Sequence, residues 1–102
     1  MSIELEGRHL QRVRDILREH VPGCEGWAFG SRVEGGAKRF SDLDLAVVSA
    51  APLPARQLAL LADAFAESDL PIKVDVVDWI SANEAFRSRI AERHEVVFRP
   101  GS

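Results

Sequence analysis

The stretch from Phe29 to Val48, FGSRVEGGAKRFSDLDLAVV, constrains this chain most. It holds a Gly-Ser pair, a ten-residue spacer, and then Asp42 and Asp44 entering an apolar run. In an extended strand, residues at i and i+2 point to the same face. Leu43, Leu45 and Val47 therefore form one side of a strand, and Asp42, Asp44, Ala46 and Val48 the other. Two carboxylates side by side repel each other unless a cation lies between them. A hard divalent ion such as Mg²⁺ takes oxygen ligands, typically one or two carboxylates together with substrate phosphates. The aspartate pair thus implies a metal, and the metal a phosphate ester. The bland alternative is a solvated strand edge.

The Gly-Ser pair fits the same chemistry. Trp27, Ala28 and Phe29 read as the end of a strand, and Gly30 after them lets the backbone turn sharply and approach a ligand closely. The amides of such a turn form an anion-binding concavity, more so if a helical turn begins at Ser31. Arg32 supplies a bidentate partner for phosphate. Against this, Ser31 as a plain helix cap and Arg32 as an exposed arginine need no ligand.

Length and charge narrow the function further. The 102 residues read as one domain, 1–102, able to bury roughly 60–70% of the unfolded surface. The net charge is −3 and the basic residues are scattered, which argues against an extended nucleic-acid surface. One cysteine, Cys24, excludes an internal disulfide and a cysteine-based zinc site, and fits a reducing compartment. With no run of about 18 apolar residues and no signal-peptide pattern, a cytoplasmic protein is expected. His9, His20 and His94 show no metal-site spacing and read as surface residues. Trp27 and Trp79 read as core, with base stacking as the alternative.

The hydrophobic pattern predicts a helix over 3–20, ended by Pro22-Gly23, and a strand over 24–29. A turn or short helix with a polar loop follows over 30–41, then a strand over 43–48. Pro52 and Pro54 open a helix to about Glu67 with Leu58, Leu61, Ala62 and Phe65 as its apolar stripe. A β-branched strand covers 72–77. Ser81 and Glu84 have capping-box spacing for a last helix through Phe86, Ile90 and Ala91. Glu95–Phe98 reads as a short final strand or a packed tail. The fold class is α/β, a mixed sheet of about four strands with helices on one face and a site on the other.

Gly30-Ser31, the ten-residue spacer and Asp42-Leu43-Asp44 together resemble the signature of the DNA polymerase beta-like nucleotidyltransferase superfamily, in its minimal (MNT) branch. The resemblance spans nearly the whole chain and implies the palm fold of that superfamily. Its third element is a carboxylate on a neighbouring strand, which Asp75 in IKVDVVD matches. Parity agrees: Ile72, Val74 and Val76 share one face, leaving Lys73, Asp75 and Val77 opposite, so all three aspartates emerge on one side of the sheet. Asp78 has the other parity and is the weaker candidate.

On the family's pattern, Asp42 and Asp44 would bind two Mg²⁺ ions. Asp75 would bind the catalytic ion and take the acceptor's proton, while Gly30 and Ser31 would hold the β- and γ-phosphates of ATP and Arg32 would add charge. Glu34 departs from a position that is often basic, with Lys38 and Arg39 nearby to compensate. The chain's shortness leads us to expect the acceptor to be bound by another protein or a second copy. The resemblance further implies an antitoxin that transfers AMP to a tyrosine of a HEPN partner. A non-catalytic blocking module and a small-molecule nucleotidyltransferase are the alternative functions.

Overall fold

The computed structural model describes residues 5–35 and 42–101. Four strands, β1 (Glu25–Phe29), β2 (Leu43–Val48), β3 (Val74–Asp78) and β4 (Glu95–Phe98), form one sheet in the order β3-β2-β1-β4. β1 runs antiparallel to both β2 and β4, whereas β2 and β3 are parallel. The parallel pair needs a crossover, and α3 (Ala55–Ala66) supplies it. Glu95–Phe98 is thus an edge strand, hydrogen-bonded to β1 with an irregularity at Gly26/Trp27.

The core lies between one sheet face and two helices, α1 (Gly7–His20) and α3. Leu43, Leu45 and Val47 have no exposed surface, and they pack in one cluster with Val13, Ile16, Leu17, Leu61 and Phe65. The strand alternation and the helical stripes read from the sequence meet here. Polar contacts fix the helix positions: Arg14 Nε donates to the Val97 carbonyl (2.8 Å) and Gln57 Nε2 to the His20 carbonyl (3.1 Å). Gly26 lets α1 come close, since a Cβ there would stand 2.8 Å from Leu17 Cδ1. The chain leaves α1 where expected, with the Val21 amide bonded to the Leu17 carbonyl ahead of Pro22-Gly23.

The opposite face is not bare. The last helix, α4 (Glu84–Glu92), lies over its end near Trp27 and Phe29. Phe86 meets Phe29 edge-on at 5.8 Å, Trp79 Nε1 donates to the Arg87 carbonyl, and Ile90 and Ala46 are buried apart from the main core. His94 stacks on Trp27 at 4.0 Å, and its Nδ1 lies 3.0 Å from the Ile90 carbonyl. The expectation of a surface histidine fails for His94 because the helix end it follows is seated on an aromatic strand residue. Both tryptophans are engaged within the protein, with ring centroids 5.6 Å apart.

The helix cap also differs from expectation. Asn83, not Ser81, accepts the Phe86 amide (2.8 Å) at the start of α4. Ser81 belongs to a single 3₁₀ turn over Trp79–Ser81, and its hydroxyl donates to Asp78 Oδ2 (2.7 Å). The same oxygen accepts the Leu53 amide (3.1 Å), so Asp78, buried at the end of β3, ties the segment before α3 to the sheet. Among the described residues no helix is long and apolar enough to cross a membrane.

Because Asp78 satisfies two donors across 25 positions, replacing it with alanine leaves a backbone amide without its partner. Asp78→Ala is expected to lower unfolding free energy by about 1–3 kcal/mol in urea titrations. Asp75→Asn, on the same strand but facing the other way, should change it little.

Candidate active site

β2 and β3 pair in parallel with Asp44 opposite Asp75, and β1 pairs with β2 with Phe29 opposite Asp44. Register partners project to the same side. The Asp44 and Asp75 carboxylates therefore emerge together at the entry ends of their strands, beside the exit of β1. Asp42, exposed, stands one residue before β2 with the same parity as Asp44. What places them is the burial of their neighbours: Leu43 and Leu45 must enter the core, so Asp44 must leave it.

The carboxylates act on one another. Burial, then the charges of Asp75 and Asp42, push the Asp44 carboxyl above its ordinary value. Lys73 Nζ lies 3.4 Å from Asp75 Oδ1, an exposed pair of small energetic worth. Among the described residues no three Asp, Glu, His or Cys side chains stand close enough together to hold an ion as they are. The donor set is nevertheless all oxygen and carries excess negative charge, which suits a hard divalent ion that draws its other ligands from substrate and water.

Gly30 closes the site from β1. It caps α2 (Ser31–Glu34) at φ 80°, ψ −156°, a backbone region that side chains rarely enter. A Cβ there would also collide with Asp44 Oδ2 and stand 3.3 Å from its Cγ. The glycine of the Gly-Ser pair is thus required by Asp44, the second aspartate of the motif, fourteen residues further on. The Val33 amide bonds back to the Gly30 carbonyl (3.0 Å), and Ser31 is exposed at the start of the turn. Arg32 is not the exposed arginine of the bland reading: only 6% of it is accessible, and it lines a cavity with α1. The side chain of Glu34, together with Lys38 and Arg39, lies outside the described residues.

The site-side aromatics Phe29 and Phe86 were not singled out from the sequence as neighbours of Asp44. Strand parity held a signal for Phe29, because Trp27 and Phe29 alternate with the buried Ala28. Phe86 required the position of α4.

A mixed sheet bearing paired carboxylates beside a glycine turn defines a nucleotidyltransferase-type palm. The family described as "Polymerase beta, Nucleotidyltransferase" matches residues 11–100, and the chain belongs to that family. It is 44% identical over 96 residues to the probable protein adenylyltransferase MntA of Haemophilus influenzae, covering 94% of this chain and 84% of that one. Among solved structures it resembles a toxin–antitoxin crystallised with AMP-PNP, at 28% identity and a TM-score of 0.76, covering 90% of this chain and 74% of the other. A mutant MntA–HpeT toxin–antitoxin aligns with a TM-score of 0.75 at 26% identity over the same shares.

Two outcomes follow from this geometry. Gly30→Ala forces both an unfavourable φ and a clash with Asp44, so its unfolding free energy should fall by at least about 1 kcal/mol in denaturant titrations. For Asp44, a raised folded-state pKa means that the folded chain binds the proton more tightly than the unfolded one. Ionised Asp44 therefore weakens the fold at neutral pH, and the deficit disappears as pH falls through the folded value toward the unfolded value of about 3.9. Without divalent ions, Asp44→Asn should melt higher than the wild type at pH 7, with the gap closing towards about pH 4.

Proposed function

We propose that this protein is an ATP-using, Mg²⁺-dependent adenylyltransferase that modifies a hydroxyl of a partner protein and acts as the antitoxin to a HEPN-type toxin. The observation that carries the reading is the in-register pairing of Asp44 with Asp75 against Gly30. The relation to a protein named as a protein adenylyltransferase, and the likeness to a toxin–antitoxin crystallised with AMP-PNP, support the acceptor class and the nucleotide.

In this reading Asp42 and Asp44 hold the metal, up to two ions, and Asp75 contributes a third carboxylate on the acceptor side. Bound Mg²⁺ supplies stabilisation of charge on the attacking and leaving oxygens. Asp75 accepts the proton of the acceptor hydroxyl, which then attacks the α-phosphorus in line while pyrophosphate departs. The amides at Gly30 and Ser31 hold the β- and γ-phosphates, and Arg32, one residue on, adds positive charge behind the turn. The raised affinity of Asp44 for a proton marks it as a group that gains from a neighbouring cation. Phe29, opposite Asp44 in register, and Phe86 pack edge-on at the same corner of the sheet.

The test is to incubate the protein with Mg²⁺ and ATP labelled at the α-phosphate, with and without the product of the adjacent gene, and to find by mass spectrometry what gains an AMP unit. Label is expected on the neighbour. Association without label would favour a blocking module instead. Asp42→Asn, Asp44→Asn and Asp75→Asn should each reduce transfer by at least about a hundredfold while circular dichroism stays unchanged. Separately, Mg²⁺ with a non-hydrolysable ATP analogue should raise the melting temperature of the wild type and leave Asp44→Asn unmoved.

A further inference from the structure

The two edges of the sheet differ. At β4, α1 already uses a main-chain acceptor, because Arg14 Nε donates to the Val97 carbonyl, and Pro100 follows the strand. Among the described residues no strand pairs with the outer side of β3. The Lys73 carbonyl accepts the Leu43 amide (2.9 Å), and Leu43 stands opposite Val74. In a parallel ladder this turns the main-chain groups of Lys73, Asp75 and Val77 toward β2. Val74 and Val76 therefore turn theirs outward. Beside them lies a groove of about 580 Å³, lined by Ala62, Phe65 and Ala66 of α3 and by Ile72, Val74 and Val76, the last three only half-buried. An open strand edge bordered by aliphatic side chains is a template for another strand.

We propose that the β3 edge is a dimer interface, at which a second copy of this chain pairs its own β3 antiparallel about a two-fold axis at Val74. The run Ile72-Lys73-Val74-Asp75-Val76 selects both occupant and register, because it complements itself. Counting outward from Val74, Lys73 of one copy meets Asp75 of the other, and Ile72 meets Val76. Opposite charges thus face each other on the carboxylate side of the sheet, and aliphatic pairs on the groove side. Within one chain Lys73 Nζ already lies 3.4 Å from Asp75 Oδ1, and across the axis the charges of the two copies alternate. The pairing therefore needs neither a free charge nor an excess of one sign. The hydrogen-bond pattern agrees with this register: Val74 exchanges both main-chain bonds with its copy, and Val76 does so with Ile72. A two-fold at Asp75 would instead oppose two aspartates. The two four-stranded sheets become one, with both carboxylate sites on the same face and Lys73 of the second copy beside each Asp75. The pairing does not depend on the transfer reaction.

The test uses the full chain without nucleotide or divalent ions. Sedimentation velocity over a concentration series should show a monomer–dimer equilibrium. Val76→Pro removes one outward amide and no bond to β2, so it should leave circular dichroism unchanged and shift the sample to monomer. Lys73→Asp sets like charges across the axis and should weaken the dimer by about fivefold or more, and adding Asp75→Lys to it should restore the affinity. A general loss of structure would not be reversed by that second substitution. Register is read by cross-linking. Under oxidation Val74→Cys should form a disulfide with its own copy, since the opposed Cα atoms of a hydrogen-bonded pair lie about 5.5 Å apart, and Val76→Cys should not. The wild type, whose Cys24 is buried, is the control. The inference is overturned if the chain is monomeric throughout the series, if folded Val76→Pro remains dimeric, if the double charge variant is no tighter than Lys73→Asp, or if Val76→Cys cross-links in place of Val74→Cys. A chain that is monomeric alone and gains mass only with the product of the adjacent gene overturns it as well.

Discussion

The structure depends on the parallel pairing of β2 with β3, which sets two like charges opposite each other. That arrangement is held by what lies on the other face of the same strands. Leu43, Leu45 and Val47 are fully buried against α1 and α3, and each contributes roughly 1.5–3 kcal/mol by leaving water. Repulsion between two partly solvated carboxylates is about 1 kcal/mol at an effective dielectric near that of water. Burial wins, and the protein keeps a local electrostatic cost at Asp44.

Gly30 makes that arrangement specific. Asp44 needs room on the β1 side, and any side chain at residue 30 would occupy the space its carboxylate fills. The glycine therefore serves a steric function together with its positive φ. This explains why the Gly-Ser pair and the aspartates belong to one motif although ten residues separate Ser31 from Asp42. The two contacts, strand pairing on one side and close approach on the other, fix the position of Asp44.

β3 shows how one strand divides labour by parity. Asp75 shares the open face with Asp44, and Asp78, three residues on, points to the helix side, where its Oδ2 accepts the Leu53 amide and the Ser81 hydroxyl. The carboxylates are chemically alike; their neighbours decide that one is a candidate ligand and the other a structural tie. The second face of the sheet is likewise divided. Its near end carries the carboxylates, and further along it Trp27, Trp79 and His94 pack together.

Much of this was legible in the chain. Alternation along 43–48 and 72–77 identified the strands and the shared face of the three aspartates, because a strand's period of two is a local property and the buried side follows from hydrophobicity alone. The stripes on α1 and α3 were legible for the same reason at the helical period. What local pattern does not encode is which other group claims a polar side chain. Ser81 looked like a cap until Asp78 took its hydroxyl, the burial of Arg32 had no local signal, and His94 read as a surface residue until Trp27 offered a ring. The parallel register of Asp44 with Asp75 and the seating of α4 also required the assembled sheet. Sequence determined the elements and their apolar faces; tertiary structure decided the partners, because hydrogen bonds, stacking and close approach depend on distances between residues far apart in the chain.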